Sequence, residues 1–175
     1  MTDPVRNPVE SAKSETQAKN AFQFVGFQLE DQHFAFRIEC IQEIIDLDHV
    51  TRIPQVPEYV EGVSNLRGSI IPIINLHILF SLKPKSIGKE TRTIVLNVGD
   101  RTIGCMVDQV SQVIKIHEDD IQPAPAAVTS NEIHYITGLA KHNDSLIILL
   151  DSDLLLDPEQ LARVRHAVLQ DADSL

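Results

Sequence analysis

The sequence has no tryptophan, only two cysteines and far fewer basic than acidic residues. Cys40 and Cys105 are far apart and form no CxxC pair, which favours two small buried thiols over a disulfide or a metal site. The formal net charge is −10, and Lys and Arg cluster only in one polar stretch. Because binding to nucleic acid draws on clustered positive charge, we expect no nucleic-acid partner.

Long apolar runs are also missing. The longest, such as LIILL at 146–150, fall far short of the roughly 20 residues that a membrane span needs. The first 20 residues contain no apolar segment of the kind that makes a secretion signal. We therefore expect a cytoplasmic protein with no direct membrane insertion, and we predict that residues 1–21 form a disordered N-terminal tail.

The usual motifs of catalysis and cofactor binding do not occur. The seven glycines never cluster into a phosphate-binding loop, and the seven histidines are dispersed without the spacing of a zinc pair. No G-x-S-x-G is present, and the acidic stretch HEDDIQ at 117–122 lacks the spacing of a calcium loop. The sequence therefore predicts no enzyme, no cofactor and no metal.

What the sequence does contain is a series of short β-branched segments. They fall into two halves, about 22–80 and 92–151, joined by the polar connection 81–91. Strand signals recur roughly every 8–12 residues with turn residues between them, as in small β-barrels or sandwiches. We therefore predict a mainly all-β fold class.

Two helices are predicted as well. The segment DPEQLARVRHAVLQ predicts a C-terminal helix over 158–171, because Asp157 can cap it and Pro158 suits its first position. Ile41, Ile44 and Ile45 recur at helical spacing, which predicts a short helix near 41–46. Pro72 cannot donate a ladder hydrogen bond, so its strand is expected at a sheet edge or to be broken there.

One long stretch is recognisable. VTRIPQVPEYVEGVSNLRGSIIPIINL, residues 50–76, closely resembles the CheW family of chemotaxis coupling proteins. Further matches are IVLNVGDRTIGCMVDQV, IQPAP, YITGL and LIILLD. Together they indicate a CheW-like domain over 22–157, followed by the C-terminal helix.

The resemblance implies two intertwined five-stranded SH3-like β-barrels with a hydrophobic groove between them. It also implies a non-catalytic adaptor that couples the cytoplasmic tips of methyl-accepting chemotaxis receptors to the regulatory domain of the histidine kinase CheA. Such an adaptor would be recruited to membrane receptor arrays. The alternatives are the same scaffold in another chemosensory pathway, such as pilus-based motility, or a β-barrel protein that binds a small molecule.

Carried over position by position, the resemblance implies a partner-binding surface for the kinase and the receptor. Its members are Arg67, Glu43, Ile41, Ile44, Gly62, Asn65 and Gly68. The two isoleucines either line the receptor groove or pack in the core, and Glu43 either serves this surface or lies on a solvated helix face. Arg67 either meets partners or pairs with an internal carboxylate. Gly62, Asn65 and Gly68 are expected to shape the backbone.

Two departures from the family pattern stand out. The family has Asp-Leu-Arg where this chain has Asn75, Leu76 and His77, so the pairing partner of Arg67 is an open question. Gln122 precedes the PAP motif and Ala126 and Ala127 follow it, where the resemblance implies an arginine before and an acid-aromatic pair after. Because arginine and aromatic anchors dominate interfaces, these three residues predict a weaker or differently built second ring interface.

Overall fold

The computed structural model describes residues 20–46, 49–83, 85–126 and 134–173, with side chains in the last helix described to residue 166. Short β-branched segments form strands because their side chains pack well on a pleated surface. In chain order the elements are β1 Ala21–Leu29, β2 Gln32–Arg37, β3 Ile41–Asp46, β4 Val60–Leu66, β5 Ser69–Asn75, α1 Leu76–Leu79, β6 Arg92–Val98, β7 Arg101–Val107, β8 Gln109–His117, β9 Ile121–Gln122, β10 Ile136–His142, β11 Ser145–Leu150 and α2 Pro158–Asp173.

The strands form two sheets. One has five strands in the order β3-β6-β7-β5-β4, and the other has six in the order β8-β1-β2-β11-β10-β9. Each sheet draws strands from both halves of the chain, so the two halves are intertwined. The prediction of a mainly β fold with two intertwined barrels is confirmed, and the two-residue β9 makes one sheet six-stranded.

Three apolar clusters account for the packing. One lies within the six-stranded sheet and is built on Phe24, Ile114 and Leu149. A second lies within the five-stranded sheet, around Ile73 and Val95. The third and largest joins both sheets to α1 and α2. Each sheet thus curls around its own core, and the shared core holds the two curled sheets together.

The short helix expected near 41–46 is wrong. This segment is the edge strand β3, antiparallel to β6, with a register shift between Ile41 and Glu43. Only Ile38–Cys40, just before it, form a single 3₁₀ turn. Short apolar runs satisfy helix and strand periodicity alike. Here pairing with β6 favours the strand over the helix, since a lone helical turn is marginal in water.

The expectation that Pro72 lies in an edge strand or a broken one is also wrong. β5 lies between β4 and β7. Both backbone groups of Val63, opposite Pro72, bond to Thr51 on the outer side of β4, so the pair Val63–Pro72 has no ladder bond. The backbone of Pro72 therefore faces β7, whose pairing with β5 begins only at Ile73. Because proline has no backbone N–H, no hydrogen-bond donor is left without a partner at this position.

The two cysteines are free, and Cys105 is completely buried. Burial in apolar surroundings raises the pKa of the Cys105 thiol far above its ordinary value. None of the helices in the described ranges is long and apolar enough to span a membrane. The disordered tail predicted for 1–21 falls outside the described residues up to position 19.

Candidate functional site

The β4–β5 hairpin ends in a two-residue turn made of Arg67 and Gly68. Leu66 pairs with Ser69 across the hairpin, and the turn residues have φ values of 52° and 88°. Positive φ at both positions indicates a type I′ turn, which favours Asn and Gly. An arginine in this conformation costs about 1–2 kcal/mol. The Asn65 side chain supports the turn by accepting a hydrogen bond from the backbone N–H of Gly68 at 2.9 Å.

The guanidinium of Arg67 pairs with Glu43. The distance from Arg67 Nη2 to Glu43 Oε2 is 2.9 Å, and the side chains are 77% and 18% exposed, respectively. Glu43 lies in β3, at one edge of the five-stranded sheet, and the β4–β5 hairpin forms the opposite edge. The pair therefore bridges the two edges of the curled sheet. Arg67 is both paired with a carboxylate and largely open to solvent.

Glu43 lies at the rim of the smaller barrel. It is opposite Val95 in the register with β6, and Val95 belongs to the core of the five-stranded sheet. Its second carboxylate oxygen, Oε1, is buried and has no hydrogen-bond partner among the described residues. A buried acceptor without a donor is costly. Among the described residues, the ion pair that compensates the charge of Glu43 is the one with Arg67.

Gly62 lies where the backbone of Thr51 passes close to β4. A register shift falls between Val60 and Gly62, and a Cβ at Gly62 would collide with the backbone oxygen of Thr51. That oxygen accepts the N–H of Val63 at 2.8 Å. A Cβ at Gly68, by contrast, would meet no atom within 4 Å. Gly62 serves close backbone approach, and Gly68 serves the turn.

The bulge in β3 brings Ile41 and Ile44 to the same face. Ile41 is opposite Leu96 and Ile44 is opposite Ile94, and both β6 residues belong to the core shared by the two sheets. Ile41 is partly buried and packs against that core, whereas Ile44 is 39% exposed. Of the two isoleucines, Ile44 offers more apolar surface to a partner, and Ile41 is mainly a packing residue.

Asn75 and His77, where the sequence departs from the family pattern, both have defined contacts in the structure. The Asn75 side chain caps α1 by accepting the N–H of His77 at 3.0 Å, and its Nδ2 donates to Glu61. His77 is buried and contacts Asp108, with 3.0 Å between Nε2 and Oδ2. Asn75 therefore keeps a local role in the backbone and does not take part in the ion pair of Arg67.

Of the residues of the predicted second ring interface, Gln122 lies elsewhere, on the six-stranded sheet. Gln122 is exposed in β9, opposite Leu139 of β10. Ala126 is also exposed, and Ala127 lies outside the described residues. The structure thus separates this surface from the Arg67 hairpin, on the other sheet.

Within the described ranges, no group of three or more His, Cys, Asp or Glu side chains could hold a metal ion. Gly68 was expected to shape the backbone, but the strained φ of Arg67 was not predicted from sequence. Its signal was available: N-L-R-G between two apolar runs indicates a hairpin with glycine at the second turn position. The pairing of Arg67 with Glu43 had no local signal, because it depends on the closing of the sheet.

Comparison with known proteins gives consistent results. The family profile "CheW-like domain" matches residues 23–160. The chain is 39% identical over 142 residues to "Chemotaxis protein CheW" of Klebsiella aerogenes, covering 81% of this chain and 86% of that protein. It is 36% identical over 138 residues to the Helicobacter pylori protein of the same name, covering 79% and 83%.

"Protein FrzA" of Myxococcus xanthus is 29% identical over 150 residues, covering 85% of this chain and 92% of that protein. Among solved structures, the scaffolding protein TtCheW from Thermoanaerobacter tengcongensis superimposes with a TM-score of 0.74 at 32% identity. That match covers 79% of this chain and 94% of the other. The intertwined barrels, the family profile and the relatives agree: this chain belongs to the CheW-like domain family, whose members are non-catalytic scaffold proteins.

Proposed function

We propose that this protein is an adaptor that couples methyl-accepting chemotaxis receptors to the histidine kinase CheA. It would act in the cytoplasm and be recruited to membrane receptor arrays. Its mechanism is simultaneous binding: one surface takes the regulatory domain of the kinase, and another takes the helical tip of the receptor. The names of the curated relatives support this role in chemotaxis.

One observation carries the proposal at residue level: the exposed Arg67 lies in a strained turn and pairs with Glu43 of β3. Local strain of about 1–3 kcal/mol persists where the surrounding structure enforces it, and it concentrates at functional sites. A type I′ turn would accept asparagine at no such cost. The arginine therefore supports a role in binding, where a planar guanidinium can make several hydrogen bonds to a partner.

The receptor surface is proposed on the face of β3 that carries Ile44. This side chain is 39% exposed and borders the core shared by the two sheets through Ile94. An amphipathic receptor helix can bury such an isoleucine by helix-in-groove contact. Ile41 lies on the same face and packs against the shared core.

The test measures both bindings on one protein. Purified parent protein and Arg67→Ala are titrated by calorimetry with the CheA regulatory domain and, separately, with a receptor cytoplasmic fragment. We expect the parent to bind both partners and Arg67→Ala to weaken kinase binding about tenfold or more, because arginines in interfaces are frequent hot spots. Thermal melts of both proteins show whether the fold is retained.

Arg163→Ala provides the matched control. Arg163 is an exposed arginine on α2 paired with Glu159 at 2.9 Å, so it belongs neither to the hairpin nor to the pair of Arg67 and Glu43. It should bind both partners as the parent does. Absence of binding of the parent to either partner would refute the adaptor role, and an unfolded Arg67→Ala protein would show that Arg67 is structural.

A second candidate is the same scaffold in another chemosensory pathway. The match to "Protein FrzA" of Myxococcus xanthus extends over 92% of that protein, and Ala126 lies where the family resemblance implies part of an acid-aromatic pair. Parallel titrations with kinase regulatory domains from the host's separate chemosensory gene clusters decide between the two. The cognate kinase should bind at least tenfold more tightly than the others.

A further inference from the structure

A cleft lies between the start of β5, the start of β7 and the helix α2, and we call it the α2 cleft. Its volume is about 340 Å³. Its apolar lining is Ile70, Ile71, Pro72, Ile103, Leu161 and Val164. A concave apolar lining with a few convergent polar groups is typical of binding sites.

The α2 cleft exists because β5 and β7 separate at their starts. Their parallel pairing begins only at Ile73 and Gly104, so the preceding residues of both strands border a gap. The pair Val63–Pro72 has no ladder bond, and alternation along the strand places the backbone of Ile70 toward the same gap. The polar backbone groups of Ile70 therefore face the cleft and have no strand partner across it.

The charge of the α2 cleft is opposite to that of the chain. Arg101 and Arg165 line it together with apolar and hydroxyl residues, and no carboxylate does. The whole sequence carries a net charge of −10. Among the described residues, the ion pair found for Arg101 is long, 3.9 Å to Asp100, whose side chain is 98% exposed, and its Nη1 donates to the carbonyl of Leu161 at 3.5 Å. For Arg165, which is exposed, no ion pair is found among the described residues.

An outer cavity of about 720 Å³ continues from the α2 cleft and shares Arg101, Leu161 and Arg165 with it. Carboxylates appear only there, on Asp100 and Asp153. The two arginines thus stand between an apolar floor and an acidic outer rim. This arrangement favours a ligand with apolar groups flanked by negative charge, and it disfavours a basic one.

We propose that the α2 cleft is a docking site for a partner peptide segment that carries apolar side chains flanked by carboxylates. The apolar side chains pack on the partly exposed Ile70 and Leu161, and the carboxylates pair with Arg101 and Arg165. The free backbone groups of Ile70 hydrogen-bond the segment. This site is independent of the adaptor role of Arg67 and would exist on this chain in any pathway.

A peptide is favoured over a small anion because the floor is apolar. Inorganic phosphate would engage the two guanidiniums and leave that floor uncovered. A second copy of the chain is disfavoured by the net charge of −10, which repels like protomers at low salt.

The test is an NMR titration of the isotope-labelled full chain with two synthetic peptides. One alternates leucine and glutamate over nine residues, and the other has glutamine in place of each glutamate. We expect the glutamate peptide to shift the backbone amides of 69–71 and 101–103 and to bind at least threefold more tightly. Salt near 1 M, where the Debye length is about 3 Å, should remove most of this preference.

Variants of the two arginines of the α2 cleft test whether they bind the carboxylates of the peptide. Arg101→Gln and Arg165→Gln should each weaken binding of the glutamate peptide about three- to tenfold. Arg163→Gln is the matched control on the same helix, since Arg163 does not line the cleft, and it should bind as the parent does. Arg67→Ala should also bind the peptide normally, which separates this site from the adaptor surface.

Several results would overturn the proposal. They are equal affinity for the two peptides, amide shifts confined to other surfaces, or unchanged binding by both cleft variants. Inorganic phosphate that shifts the same amides with equal affinity would show a small-anion site instead. Self-association in sedimentation that Arg101→Gln abolishes would show that a second copy occupies the cleft.

Discussion

At the scale of single residues, Arg67 has a conformation that its side chain does not favour. Its φ of 52° belongs to a type I′ turn, where asparagine and glycine are usual. The turn therefore loses stability by carrying arginine, and the pair with the largely buried Glu43 recovers part of it. Fully exposed ion pairs contribute about 0–1 kcal/mol, and the burial of Glu43 brings the contribution of this pair close to the cost of the strained turn.

The Arg67→Asn variant tests this balance. Asparagine relieves the turn by about 1 kcal/mol, while Glu43 loses its ion pair. We expect the free energy of unfolding to change by less than about 1 kcal/mol, with kinase binding lost. Urea denaturation measures the first quantity and calorimetric titration the second. A loss of more than about 2 kcal/mol of stability would mean that Arg67 is primarily structural.

Gly62 and Gly68 are glycine for two different physical reasons. An alanine at 62 would press its Cβ against the oxygen of Thr51, which a backbone hydrogen bond holds in place. We expect Gly62→Ala to cost at least about 3 kcal/mol. Gly68→Ala adds a Cβ in open space at a φ of 88°, so about 1 kcal/mol of backbone strain is expected.

Urea denaturation of both glycine variants, with the parent alongside, gives the comparison directly. Equal losses of stability would contradict the distinction between close approach at Gly62 and turn conformation at Gly68. The unchanged slope of the denaturation curve should confirm that each variant unfolds from the same native state.

At the scale of elements, β3 shows where local sequence patterns fail to distinguish a strand from a helix. The strands of the two halves follow from alternation and turn residues, and α2 follows from an N-cap. All of these are local signals. β3 was predicted as a helix because Ile41, Ile44 and Ile45 recur at helical spacing. The bulge between Ile41 and Glu43 brings Ile41 and Ile44 to one face of a strand, as a helix would, whereas Ile45 packs against the core of the five-stranded sheet. Local periodicity cannot separate these two solutions.

The residues of the candidate site divide in the same way. Arg67, Gly68 and Asn65 are neighbours in the sequence, so their turn could be read from N-L-R-G. The contact between Arg67 and Glu43 joins the two edges of one sheet. It depends on strand order, and strand order depends on which segments of the two halves pair. No pattern within either segment contains that information.

Substitutions of the two isoleucines of β3 test the face that the bulge creates. Ile44→Gln replaces a side chain that is 39% exposed and should cost less than about 1 kcal/mol of stability. It should weaken receptor-fragment binding several-fold. Ile41→Gln places an amide against the shared core and should cost about 1–3 kcal/mol. Thermal melts and fragment titrations of both variants make the comparison.

The opposite ranking would contradict this assignment. If Ile41→Gln melts like the parent while Ile44→Gln unfolds, then Ile44 is the packing residue and the receptor face must be sought elsewhere. If both variants are stable and bind the receptor fragment fully, then β3 takes no part in receptor binding.

At the scale of the whole molecule, neither half of the chain completes a sheet. The first half supplies β1 and β2 to the six-stranded sheet and β3 to β5 to the five-stranded one. The second half supplies the remaining strands of both. The parallel pairs β2–β11 and β5–β7 join residues that are distant in sequence. Folding therefore requires both halves at once, and such long-range pairing makes it slow.

A chain cut in the connection 81–91 tests this interdependence. With a protease site inserted there, the cleaved protein should stay assembled in gel filtration, because each sheet is held by hydrogen bonds between the halves. It should also keep one cooperative thermal transition. The fragment 20–80 alone should show none, since it buries too little apolar surface to offset its conformational entropy. Two folded pieces separating after cleavage would contradict the intertwined topology, because each piece would then have to complete a core that the structure divides between them.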